Sequence, residues 1–263
     1  MKMKAIAITF MTLLQVFAAP AHAGVTKEEF DSAIKRIHTI YSPKVATVLN
    51  AKLVIDGKWE DASVNAYTQK LGDRFILNVL GGIAKHPKTT PDALMLIVCD
   101  ELGHVLGGDP KSVLMSTNSS WASLMGQSDY FATAKCLKKV FESDNNIEII
   151  KALDVPVVVA EKCNDSFKNA NSRALCIRSS MAGKDVADLL NSLTSNENVI
   201  KFGTPSQVIV SKTLTNHPPV QCRLDTFFAG AVCDSNLNDD HDLNFGFCEN
   251  GSAGARPLCW YKP

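Results

Sequence analysis

Residues 96–108 read LIVCDELGHVLGG and set Asp100 and His104 four positions apart, with Glu101 next to the first of them. On a helix, side chains four apart share a face, so a carboxylate and an imidazole at this spacing can grip one metal ion. A glutamate beside the first donor can then take a proton from a metal-bound water, which is the chemistry of hydrolysis. The plainer alternative is a polar stripe on a buried helix.

Three further stretches give the string a context. MGQSD carries Met125 and Asp129, NHPPVQCRLD carries His217-Pro218 followed by Arg223, and VNAYTQKLGDRFILNVLGG carries Asn65-Ala66 and a strand-like run. Together these resemble, over roughly Ser63 to Thr226, the gluzincin metallopeptidases that include HtpX and the CAAX prenyl endopeptidases, closest to exported bacterial members. The resemblance implies a zincin-like α+β fold in which the positions of Asp100 and His104 bind zinc and that of Met125 supplies a third ligand. It also implies that Glu101 is the general base, that Asp129 orients a metal-binding histidine, and that His217 helps to stabilise the tetrahedral intermediate. Arg74 to Leu80 match the edge strand that receives an extended peptide by β-augmentation. Substrates of the family are proteins or peptides.

Two departures change the expected chemistry. The first histidine of the His-Glu-x-x-His signature is Asp100, and the ligand glutamate is Met125, whose soft, neutral thioether suits copper(I) far better than zinc. With one imidazole and one short carboxylate left, the expectation is a site without cofactor, with Asp100 ion-paired to a protonated His104 in place of the metal. The expected function is an exported pseudopeptidase with a peptide- or protein-binding role. The alternative is an active zinc endopeptidase using Asp100, His104 and Asp129.

The chain ends and the composition bound this reading. Lys2, Lys4, an apolar run from Ala5 to Phe17 and Ala21-His22-Ala23 have the form of a signal peptide over residues 1–23, too short to span a bilayer. Cleavage there leaves 240 of the 263 residues, and the 27 basic residues fall to 25 against 27 acidic ones. This balance disfavours nucleic acid as a partner. No later stretch is apolar enough to cross a membrane, so the expected location is periplasmic or secreted, where eight cysteines pair as disulfides. Cys222 and Cys233 share a predicted helix about 16 Å apart, out of reach of each other. Each must pair elsewhere, and Cys248 and Cys259 are candidates.

The elements that must position these residues follow from periodicity. Thr26 and Glu29 form a capping box for a helix ending near Ser42-Pro43. A strand-like pair with a turn at Asp56-Gly57 comes next, and then a strand closed by Gly81-Gly82, making a small antiparallel sheet. Thr90, Pro91 and Gly107-Gly108 delimit the central helix. Further helices are predicted from about Ser120 to Phe141, from Val155 to Phe167, from Ser172 to Leu193 with a break near Gly183, and after Pro219. The organisation expected is a domain over 24–233 followed by an irregular, disulfide-tied tail over 234–263. Asp234 to Asp240 alternate like a calcium loop but lack its glycine and its twelfth-position glutamate, so they read as a solvated acidic loop.

Overall fold

Thr26 caps the first helix in the manner its sequence requires: its hydroxyl accepts from the Glu29 N–H at 3.2 Å, while the Glu29 carboxylate accepts from the Thr26 N–H at 2.8 Å. This helix, α1 (Lys27–Leu49), buries Phe30, Ala33, Ile37, Tyr41 and Val45. It does not stop at Ser42-Pro43 but carries Pro43 inside it. A proline within a helix costs about 3 kcal/mol. Tyr41 and Val45 continue the buried stripe across it, and burying two large side chains is worth roughly 3–6 kcal/mol. The end comes at Asn50, whose φ of 48° turns the backbone left-handed. The structure, a computed structural model, describes residues 24–112, 121–194, 198–234, 248–249 and 251–263. The candidate signal peptide and most of the acidic loop lie outside the described residues.

Three strands follow, β1 (Lys52–Lys58), β2 (Ala66–Leu71) and β3 (Arg74–Leu80), in the order β1-β3-β2. The expected turn at Asp56-Gly57 is absent, because β1 runs straight through it in register with β3. Gly57 instead allows α1 to press on the sheet, since a Cβ there would lie 2.4 Å from Ile34 Cδ1. The sheet is mixed rather than antiparallel: β2 and β3 form an antiparallel hairpin through Gly72, at φ 61°, and β1 lies parallel to β3 on its other side. Arg74 to Leu80 are therefore the middle strand, bonded on both sides. That corrects the assignment of Arg74 to Leu80 as a peptide-receiving edge. The sheet edge beyond β3 on the hairpin side belongs to β2.

Gly81-Gly82 do close β3, and they open a short helix, α2 (Gly81–Lys85). The central helix α3 (Pro91–Leu106) has the predicted bounds. Its cap, Thr90, accepts from the Ala93 N–H at 3.1 Å and donates to Asp185 at 2.7 Å. In its first turn Asp92 receives both arms of Arg178 at 2.7 Å, and the same guanidinium reaches Asp144 at 2.8 Å, so one buried arginine fixes the start of α3.

The next long helix starts later than Ser120. It runs as α4 (Met125–Phe131), a π-helical turn at Ala132–Cys136 and α5 (Leu137–Phe141). Trp121 to Leu124 are held outside it, with Ser123 bridging to Lys111 and its N–H donating to the His104 carbonyl at 2.9 Å. Then come α6 (Asn146–Ile149), α7 (Val157–Ser166), α8 (Ala170–Ser192) and α9 (Val220–Val232). The predicted break near Gly183 does not occur, because Ala182 and Val186 are both buried and carry the packed face of α8 across it.

Eight cysteines make four disulfides: Cys99–Cys136, Cys163–Cys176, Cys222–Cys259 and Cys233–Cys248. Cys222 and Cys233, at opposite ends of α9, pair with partners outside it. No helix among the described residues is long and apolar enough to cross a membrane.

Candidate functional site

Asp100, Glu101 and His104 sit on α3 where α4, α9 and β2 converge, and the convergence has specific causes. Gly103 lets α4 touch α3: a Cβ there would lie 2.7 Å from the Ser128 carbonyl oxygen. Ser128 also donates to the Asp100 carbonyl. The Cys99–Cys136 disulfide ties α3 to the π turn. These contacts bring Met125 and Asp129 beside the α3 residues, and packing of α9 against α4 adds Arg223.

Arg223 is the main feature of the site that the sequence reading did not assign. Its Nε reaches Asp129 Oδ2 at 2.9 Å and its Nη2 reaches Asp129 Oδ1 at 2.5 Å, while Nη2 also contacts Asp100 Oδ2 at 3.2 Å. Asp129 is fully buried, and Asp100 and Arg223 nearly so. The expected pair between Asp100 and a protonated His104 is thus replaced. A guanidinium is always charged and presents a planar fork, so it can contact two buried carboxylates at once, where each imidazole nitrogen offers a single N–H. The one available signal was the arginine six residues after His217, in a segment otherwise reading as an apolar helix.

The charges here are in tension. Burial pushes the Asp129 carboxyl up to about 7, and the neighbouring Asp100 charge adds to this, against the pull of Arg223. Burial also opposes the charge on Arg223, but Asp129 and Asp100 outweigh it and its pKa rises. These two tendencies disagree about the same pair, and the two-oxygen fork decides it. Such geometry belongs to an ionised carboxylate, so Asp129 is charged at and above neutral pH.

Glu101 is likewise raised to about 7 by burial and then by Asp100, with His104 opposing. The Thr68 hydroxyl of β2 shares its one proton between the Glu101 carboxylate, at 2.7 Å, and the Glu101 backbone carbonyl, at 2.9 Å. His104 Nδ1 lies 2.9 Å from the Ser123 carbonyl oxygen. A carbonyl only accepts, so Nδ1 donates in this bond and Nε2 is the ring nitrogen not engaged by it. His217 has its pKa lowered by partial burial and then by Arg223. Asp100 Oδ1 is buried without a hydrogen-bond partner among the described residues.

Glu101, His104, Met125 and His217 all line one cleft of about 430 Å³, walled by Tyr67 and Trp121. The structure brings these four together there, with Asp100 and Asp129 in the ion-pair layer built around Arg223. Of the aromatic residues near the site, Tyr130 and Phe131 are core, and Tyr130 donates to the Gly254 carbonyl at 2.5 Å. A larger groove of about 750 Å³ beside Phe202, Ile209 and Phe228 is mainly apolar and lacks such a cluster.

As a set of zinc donors these residues do not fit. Asp100 and Asp129 are committed to a guanidinium whose charge repels a divalent cation, and Met125 is a poor zinc donor. Among the described residues, no three His, Cys, Asp or Glu side chains are placed to hold a metal ion. Compared with known proteins, the chain matches no family model, no curated protein and no solved structure.

Proposed function

We propose that this chain is an exported pseudopeptidase: a gluzincin-like frame that has given up zinc chemistry and retains a cleft for an extended peptide or a partner protein. The observation that carries the reading is the Arg223 guanidinium bridging Asp129 and Asp100. It supplies permanently, from the chain itself, the positive charge that a metal would bring. Around it, Asp-Glu-x-x-His on α3, Asp129 on the next helix and His217 ahead of α9 stand in the gluzincin order. The zincin-like description of the fold belongs to this proposal, and so does export, which four disulfides favour.

Peptide binding is supported by β2. Its Tyr67 and Thr68 line the cleft beside Glu101, and β3 occupies only one of its sides. An extended segment laid against the other side would gain main-chain hydrogen bonds while its side chains enter the cleft.

Elemental analysis of the purified protein tests the proposal, together with its action on an unstructured protein such as casein. The expected result is no stoichiometric zinc and no chelator-sensitive cleavage. One zinc per chain with cleavage abolished by chelator would overturn the proposal and establish the alternative, a zinc endopeptidase in which Asp100 or Asp129 has left Arg223 to ligate the metal.

A further inference from the structure

We propose that the cleft is a copper(I) site built from three neutral donors: the imidazoles of His104 and His217 and the thioether of Met125. All three line the same cleft. His104 and Met125 are coupled through the short segment between their helices, since Ser123 bonds to the His104 backbone and accepts from its ring two residues before Met125 opens α4.

The hydrogen bond of the His104 ring is of the kind that ligand histidines make. Metal-binding histidines commonly donate the second ring nitrogen to a carbonyl or carboxylate, which fixes the tautomer and aims the other nitrogen. Here the Ser123 carbonyl accepts the hydrogen bond from Nδ1–H, so Nε2 is the nitrogen that would ligate the metal. The thioether then selects the metal. Met is a poor ligand for zinc, calcium or magnesium, whereas soft sulfur donors favour copper(I) and imidazole accepts it too.

Charge favours a single positive ion. Three carboxyl groups, Asp100, Glu101 and Asp129, stand near one guanidinium, and Asp100 Oδ1 is buried with no hydrogen-bond partner among the described residues. A monovalent cation held by neutral donors fits that balance, while two of the three carboxylates a divalent ion could use are already held by Arg223. No electron transfer is involved: the metal binds and leaves as copper(I).

This inference rests on the reading that zinc does not occupy the cleft, and the two fail separately. Zinc in the isolated protein overturns that reading, while zinc-free protein that binds no copper(I) overturns this one alone. The test is anaerobic competition of the whole protein against a chromophoric copper(I) chelator, with ascorbate as reductant and with X-ray absorption on the loaded protein. One equivalent of copper should leave the chelator, with a sulfur scatterer in its shell. Met125→Leu should remove that sulfur, and Met125→Leu and His217→Ala should each weaken binding about tenfold or more. Met125→Leu also separates the thioether from any cysteine sulfur. No withdrawal of copper by the wild type, or unchanged affinity in both variants, would sink the proposal.

Discussion

Arg223 on α9 and Asp129 on α4 form a buried fork, with Nε 2.9 Å from one carboxylate oxygen and Nη2 2.5 Å from the other. They are 94 residues apart in sequence, and Asp100, 123 residues from Arg223, shares the same guanidinium at 3.2 Å. Removing the cation strands two carboxylates in the interior. Arg223→Met should therefore destabilise the fold by about 3–5 kcal/mol at pH 7, read from urea unfolding. The deficit should shrink toward pH 5, as the stranded carboxyls take up protons. A variant as stable as wild type at pH 7 would show that the fork does not hold the helices together.

Glu101 makes its own pH signature. Its folded pKa, about 7, lies above its ordinary value of 4.5, so the native state binds the proton more tightly than the unfolded chain. The stability this contributes is complete below about pH 4.5 and is lost as pH rises through 7. Its size is on the order of 3 kcal/mol. Because the Asp100, Asp129 and Arg223 cluster is common to both proteins, the comparison is between wild type and Glu101→Gln. The wild type should lose more stability than the variant between pH 5 and pH 8, and parallel profiles would contradict the assignment.

The close approach of α3 and α4 should tolerate no added atom. In Gly103→Ala the new methyl would meet the Ser128 backbone at 2.7 Å, and overpacking of this kind costs about 1–3 kcal/mol. Chemical shifts of His104 and Asp129 should move together in that variant, because the contact sets the spacing of their two helices. Shifts confined to residue 103 and its chain neighbours would argue otherwise.

Cys99–Cys136 closes a loop with a sequence separation of 37. Replacing both cysteines with alanine should cost about 4 kcal/mol on loop-entropy grounds. Thermal unfolding should register the loss. A melting temperature unchanged from wild type would mean that the packing of α3 on the π turn suffices without the bond.

Restoring the gluzincin ligands tests the proposed ancestry directly. Asp100→His combined with Met125→Glu should give one zinc per chain, while Arg223 stays on Asp129. A well-folded double variant without zinc would break the correspondence of these positions to the family pattern. The same variant should lose copper(I) binding, since its thioether is gone.

Much of the local architecture was legible in the chain because its causes are local. Thr26 with Glu29, and Thr90 with Pro91, mark helix starts through side chains that satisfy nearby N–H groups, and both helices begin where those residues require. The separation of Cys222 and Cys233 along one helix was enough to send them to other partners. Asp100, Glu101 and His104 stood out by spacing, and His217 by the resemblance of the stretch before α9. Pro43 and Gly57 misled for one reason: each is a local breaker overruled by burial, the stripe Tyr41 and Val45 in one case and the pressing of α1 on β1 in the other. Strand order, and with it the transfer of the open edge from β3 to β2, depends on how the chain crosses the sheet, which no residue pattern within a strand records. The same holds for the charge at the centre of the site. The sequence supplied the carboxylates and the arginine, but which cation answers which anion was decided by the packing of α9 on α4 and α3, because a buried charge takes whatever partner the fold brings within hydrogen-bond reach.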